Sequence, residues 1–237
     1  MVKITINNKE YQAEEGCSIL EVALHNGIEI SHLCYHENLS VYGGCRLCLV
    51  EVTRNGKKKL TTSCTYPVAD GIVVETNTPR VKRARRLMME LLLAMAPESP
   101  RLQAYARELG VNTSRFKLDG DGCIRCGLCV RVCDELVGAN ALAFANKGDK
   151  KTVVPPFEEP ENCIGCGACA FICPTDCIGI EESGDERKIK RWNKTVKMKQ
   201  CTICGRLFIP YAQIEYALQK AGGALPKEWF EKCPDCR

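Results

Sequence analysis

No long apolar run occurs in this 237-residue chain. The longest, Leu87 to Ala96, is ten residues and contains Glu90, against the roughly 20 apolar residues a membrane helix needs. No membrane span is expected. The N-terminus, MVKITINNKEYQ, alternates like a strand and lacks an apolar segment followed by a small-residue cleavage site, so it does not read as a secretory leader. Neither G-x-G-x-x-G nor a Walker-type loop is present, which leaves no recognisable NAD, flavin or ATP site. Aromatics make up only 6% of residues and do not interleave with the basic clusters at Lys57 to Lys59, Arg80 to Arg86 and Arg187 to Lys199. That argues against nucleic-acid binding, which uses stacking aromatics beside cations. With a net charge of only +4, the basic clusters read as solvated faces.

Cysteine is what the chain has in excess, with 18 residues. They fall into C-x-x-C clusters, the spacing of metal ligands rather than of a disulfide framework. Thiolates must survive until metal is inserted, so a cytoplasmic location is expected.

Four segments differ in character, and together they predict an α+β chain. Residues 1–78 look β-rich. Lys3 to Ile6 alternates, Asn7-Asn8 is a turn signal, and Glu10 to Ala13 returns as a second strand. S-I-L-E from Ser18 to Glu21 is a capping box opening a short helix. Strands at Leu49 to Thr53 and Lys59 to Thr62 flank Asn55-Gly56, a strong hairpin signal. Residues 79–118 read as a helical spacer, with one helix from Pro79 to Pro97 and another from Pro100 to Gly110. Residues 119–182 hold two copies of C-x2-C-x2-C-x3-C, separated by a loop expected to contain a hairpin. Residues 183–237 form a tail with two further C-x-x-C pairs and a helix near Tyr211 to Ala221.

The first set is Cys34, Cys45, Cys48 and Cys64. One isolated cysteine, a close pair and a distant fourth is the shape of a 2Fe–2S loop on a β-grasp domain, wider than the plant-type spacing. A zinc site would pair two close knuckles, and only one is here. His32 and His36 flank Cys34 and read as hydrogen-bonding or surface residues. The second group, CIRCGLCVRVC and CIGCGACAFICP, has the spacing of bacterial two-cluster ferredoxins, in which the fourth cysteine of each run ligates the other cluster. That assigns Cys123, Cys126, Cys129 and Cys173 to one 4Fe–4S cluster and Cys163, Cys166, Cys169 and Cys133 to the other. In the tail, Cys201, Cys204, Cys233 and Cys236 form two knuckles suited to a tetrahedral thiolate site. Zinc is favoured over a rubredoxin-like iron or a further cluster. Cys17 and Cys177 remain, Cys17 as a small packing residue and Cys177, just beyond Cys173, as a buried bystander favoured over a spare ligand.

The phrases CYHENLSVYGGCRLCLVEV and CIRCGLCVRVCDE, in this order, resemble the N-terminal electron-input region of three systems. They are the large iron–sulfur subunit of complex I, the iron-only hydrogenases, and the diaphorase subunits of NAD-linked hydrogenases and formate dehydrogenases. The resemblance covers about residues 1–182. It implies an electron-transfer subunit without catalytic residues of its own, working beside a flavoprotein that oxidises or reduces NAD(P)H, in a complex that uses ferredoxin, hydrogenase or formate dehydrogenase chemistry and is in some cases electron-bifurcating. A free-standing multi-cluster ferredoxin is the alternative. The chain departs from the family in two ways. Residues 65–122 contain neither Cys nor His, so the additional His/Cys-ligated cluster of the family is not expected. The four-cysteine tail stands where the family carries a hydrogenase or molybdopterin domain.

Overall fold

The computed structural model describes residues 1–237. These divide into two compact units, Met1–Leu128 and Cys129–Arg237.

In the first unit, β1 (Val2–Ile6) and β2 (Lys9–Ala13) are joined by Asn7 and Asn8, both at positive φ (50° and 66°), which asparagine tolerates better than most residues. Ser18 caps α1 (Ile19–His25). Its hydroxyl accepts from Glu21 N at 3.2 Å while the Glu21 carboxylate accepts from Ser18 N at 2.6 Å. β3 (Leu49–Arg54) and β4 (Lys57–Thr62) form the hairpin around Asn55-Gly56, and β5 (Val73–Glu75) closes a mixed sheet of order β2-β1-β5-β3-β4. Its one parallel pairing is β1 with β5. Alternation puts Ile4, Ile6, Val50, Val52 and Val74 on the face that α1 covers with Ile19, Leu20 and Ala23.

α2 (Pro79–Met95) begins at Thr78, whose hydroxyl accepts from Val81 N, and α3 (Pro100–Glu108) begins at Ser99, which does the same for Leu102 N. Proline in each first turn and Gly110 at φ +72° after the second helix fit the usual start and stop rules. These helices share the compact unit of the sheet. α2 packs against β3, Arg85 donates to the Leu49 carbonyl, and Tyr105 of α3 accepts from His32 N at 3.1 Å. Such long-range bonds leave no trace in local sequence, which is why residues 79–118 read there as a spacer.

The second unit begins within α4 (Leu128–Arg131), which runs into a π-helical turn, Val132–Leu136, carrying Cys133. β6 (Ala143–Ala145) and β7 (Thr152–Val154) form a small hairpin in the loop between the two cysteine runs, and α5 (Ala168–Phe171) follows. β8 (Ile180–Ser183), β9 (Glu186–Ile189), β10 (Lys194–Gln200) and β11 (Leu207–Pro210) then meander into a sheet of order β11-β10-β9-β8, and α6 (Tyr211–Lys220) packs on β10 and β11. The division drawn at 182/183 from composition therefore falls inside the β8–β9 hairpin. Beyond it, Ile189 and Trp192 join one core with Cys129, Cys133, Cys169 and Cys173. No helix is long and apolar enough to cross a membrane.

Candidate metal centres

Cys34, Cys45, Cys48 and Cys64 come from the loop after α1 and from the two ends of the β3–β4 hairpin, and all four are buried. The Cys45 amide donates to Cys34 Sγ at 3.4 Å. The thiols couple in pairs. A hydrogen bond from Cys64 holds Cys48 down to about 6, while that same bond and burial drive Cys64 far up. Hydrogen bonding to Cys34, with burial, likewise raises Cys45. Each thiol thus has another member of the quartet as its partner, Cys34 with Cys45 and Cys48 with Cys64. The buried Ser63 hydroxyl, beside Cys64, adds to the pull that lowers Cys48, so it stands beside a candidate ligand sulfur. The donor set therefore fits a 2Fe–2S group. Arg46, between Cys45 and Leu47, adopts φ +57°.

The loop ahead of Cys45 is close to a second one. A Cβ placed on Gly44 would lie 2.6 Å from the Tyr42 ring and 3.5 Å from the carbonyl oxygen of Arg125. Arg125 sits between Cys123 and Cys126 at φ +52°, and its amide donates to Cys123 Sγ at 3.4 Å. Cys123 N in turn donates to Asp121 at 3.1 Å.

In the second unit, one cavity is lined by Cys133, Cys163, Cys166 and Cys169, with Leu142 and Trp192 among its apolar walls. The fourth cysteine of the first run thus meets the first three of the second. The Ala141 amide donates to Cys133 Sγ at 3.3 Å and Trp192 Nε1 to Cys169 Sγ at 3.4 Å. Burial raises Cys133, Cys163 and Cys169, the last to about 11 against the pull of the Trp192 N–H. Gly165 (φ +69°) and Gly167 (φ +80°) wrap the loop around this cavity. Cys129 and Cys173 are buried in the same core. Cys173 Sγ has Thr175 Oγ1 at 3.5 Å and Cys177 Sγ at 3.6 Å. Four soft thiolates around an apolar-walled cavity fit a 4Fe–4S group.

In the tail, the sulfurs of Cys201, Cys204, Cys233 and Cys236 all lie within 4.8 Å of one another. The Gly205 amide donates to the Cys201 carbonyl, the Cys233 amide to Cys201 Sγ at 3.3 Å, and Thr202 ties its knuckle to the Glu231 carbonyl through both N and Oγ1. Backbone amides from Cys233 and Cys204 lower Cys201 to about 6, and thiol hydrogen bonds push Cys236 up to about 12. The Arg206 guanidinium reaches Cys233 Sγ at 3.5 Å and pairs with Asp235. This set fits a single tetrahedral metal ion. Trp192, Tyr105, Ser63 and Arg206 carry no motif, and sequence reasoning misses them. The only signal for Trp192 is a tryptophan in an otherwise basic stretch.

Two family models match the chain, a 2Fe–2S iron–sulfur cluster binding domain over residues 1–79 and a 4Fe–4S dicluster domain over residues 117–180. An NADH-quinone oxidoreductase subunit of Rhizobium meliloti is 34% identical over 86% of this chain and 27% of its own length. The alpha subunit of the NADPH-Fe(3+) oxidoreductase of Geobacter sulfurreducens is 32% identical over 91% of this chain and 28% of its own. The HndD subunit of the NADP-reducing hydrogenase of Solidesulfovibrio fructosivorans is 34% identical over 75% and 36%. Among solved structures, a chain of the NAD+-reducing NiFe hydrogenase in its H2-reduced state aligns with a TM-score of 0.59 at 28% identity, over 65% of this chain and 74% of that one. The chain is an iron–sulfur protein with a 2Fe–2S domain and a 4Fe–4S dicluster domain. Its homologues are subunits of NADH- and NADPH-linked oxidoreductases and hydrogenases, and it spans about a third or less of the length of those curated relatives.

Proposed function

We propose that this chain is a relay for single electrons within an NAD(P)H-linked flavoprotein oxidoreductase complex of the hydrogenase, formate dehydrogenase or ferredoxin–NAD(P) type, electron-bifurcating forms included. The observation that carries it is the approach of two ligand loops. Gly44, next to Cys45, stands against Arg125, between Cys123 and Cys126, so groups held by those cysteines would be neighbours. The mixed sheet crossed by α1 supports a β-grasp domain, and the knuckles of the tail a zinc-ribbon-like element.

On this reading Cys34, Cys45, Cys48 and Cys64 hold a 2Fe–2S cluster. Cys123, Cys126, Cys129 and Cys173 hold one 4Fe–4S cluster, and Cys133, Cys163, Cys166 and Cys169 the other. Cys201, Cys204, Cys233 and Cys236 hold zinc. When bound, the clusters supply one-electron donor and acceptor sites and no bond chemistry. The protein's own contribution is electrostatic. Amides of Cys45, Arg125 and Ala141 and the indole of Trp192 aim N–H donors at ligand sulfurs, favouring the more negative, reduced state. The apolar walls around Cys133 and Cys169 exclude water. The flavin and the nucleotide site belong to a partner subunit, and the complex works in the cytoplasm.

Affinity purification of the native chain tests this. Co-purification at fixed stoichiometry with a flavoprotein, and NAD(P)H bleaching the cluster absorbance only when that flavoprotein is present, is the expected result. A monomer that NAD(P)H-reduced partners of many kinds reduce equally well would instead make it a free carrier.

A further inference from the structure

We propose that Arg85 is the charge that sets the reduction potential of the centre at Cys34, Cys45, Cys48 and Cys64; the inference rests on the reading that these cysteines hold a 2Fe–2S cluster. Arg85 lies in α2 and is only 5% exposed. Its Nε and Nη2 both donate to the carbonyl oxygen of Leu49, at 3.1 and 2.7 Å. Leu49 directly follows Cys48, a ligand that is itself 1% exposed. The guanidinium is thus fixed against the backbone that carries a ligand, in a place where solvent screens little.

It is also unneutralised. No carboxylate lies within ion-pair distance of Arg85. Glu51, two residues beyond Leu49 on β3, is taken up by Arg80 at 3.3 Å, and the Thr78 hydroxyl and Arg80 hold its carboxylate below the usual range. Arg85 lines two cavities, one with Lys82, Arg86, Arg107 and Glu108 and the other with Glu29 and Glu108, and neither of these acids pairs with it, so the fixed guanidinium keeps its charge. Burial works against the charged guanidinium, and the Tyr105 oxygen and, less strongly, the Cys48 sulfur favour it.

A buried cation without a counter-ion is costly. Tying α2 to β3 does not require one, because a neutral amide would serve the Leu49 carbonyl. What a fixed charge adds is attraction for the extra negative charge a cluster gains on reduction, strengthened by the low local dielectric. Reduction is thereby favoured and the potential raised.

The test is an EPR-monitored redox titration of the full chain with its clusters in place. The variants are Arg85→Met, Arg85→Lys and, as an exposed neighbour of equal charge, Arg86→Met. Arg85→Met is expected to make reduction of the 2Fe–2S centre at least tenfold less favourable, a fall of about 59 mV for one electron. Arg85→Lys should stay within threefold of wild type, and so should Arg86→Met. The 4Fe–4S midpoints should move in none of them. If Arg85→Met does not accumulate, Arg85→Gln gives the same reading. An unmoved 2Fe–2S midpoint in a folded Met or Gln variant overturns the role of Arg85, even if stability falls. A wild-type protein with no 2Fe–2S signal overturns the cluster assignment instead.

Discussion

Gly165, between Cys163 and Cys166, is the position where the second unit tolerates least. A Cβ there would lie 2.3 Å from Val196 Cγ2 and 3.0 Å from its Cγ1, and Val196 is a buried residue of β10. Gly165 also sits at φ +69°. Gly165→Ala therefore carries two separable penalties. The left-handed conformation costs an L-residue about 1–2 kcal/mol. Forcing a methyl into a filled site adds about 1–3 kcal/mol. Only the second depends on Val196, so a double-mutant cycle isolates it. Val196→Ala leaves a void in the wild-type background and should destabilise. In the Gly165→Ala background it removes the clash, and its cost should shrink by about 1–3 kcal/mol. Thermal loss of the 4Fe–4S absorbance, recorded under argon at one scan rate for all four proteins, is the assay. If Val196→Ala costs the same in both backgrounds, β10 does not press on the cluster loop and the packing argument fails.

Three other outcomes are expected. Trp192→Phe keeps the apolar wall but removes the N–H donated to Cys169 Sγ. Because that donor stabilises negative charge on sulfur, the midpoint of one 4Fe–4S centre should fall by several tens of millivolts, about 1 kcal/mol, with cluster content unchanged; an unmoved midpoint refutes it. Ser18→Ala opens the capping box of α1 and should cost about 1 kcal/mol in thermal stability, with ligation of the first quartet intact by iron count. Zinc binding to the tail should tighten as pH rises, because Cys236, pushed up to about 12, must give up its proton while Cys201, lowered to about 6, remains a thiolate until the pH falls below that value. Calorimetry in buffers of different ionisation enthalpy reads the protons released, and a pH-independent affinity would sink the argument.

The proposed ligands can be named from sequence because C-x-x-C spacing is a local pattern. The C-x2-C-x2-C-x3-C run is one such pattern, and its match to two-cluster ferredoxins is what assigns Cys133 to the second run; Cys133 lines one cavity with Cys163, Cys166 and Cys169. Caps and tight turns are legible for the same reason: Ser18 to Glu21 and Asn55-Gly56 solve their problems within four residues. What is hidden is the set of groups that shape the ligands from far away. Trp192 reaches Cys169 across 23 positions and Arg85 reaches Leu49 across 36. Neither belongs to a repeat, and each reads as part of a basic surface run. Segment boundaries suffer likewise. Composition changes near residue 183, whereas hydrogen bonding does not, since β8 and β9 pair from Ile180↔Ile189 to Ser183↔Glu186.

That pairing decides how damage to the tail should spread. Cys201 follows β10 directly, so Cys204→Ser, which removes one ligand of the proposed tail site, would first release the knuckles, then β11 and α6. β10 is held in two halves: Lys194 to Lys197 pair with β9, and Met198 to Gln200 pair with β11. Only the second half loses its partner. The first half keeps its ladder, and Val196 stays in place against Gly165. Fraying should therefore stop near Met198, and the 4Fe–4S sites should still fill anaerobically. Air stability is another matter. Gln213, Tyr216 and Ala217 of α6 line the surface cavity that also contains Cys166 and Phe171, so releasing α6 uncovers that edge to oxygen. Normal anaerobic iron content with a severalfold shorter half-life in air, and faster amide exchange confined to residues 198–237, is the expected pattern. A variant that fails to fill a 4Fe–4S site without oxygen present would show that the β9 ladder alone cannot hold β10 on the cluster loop.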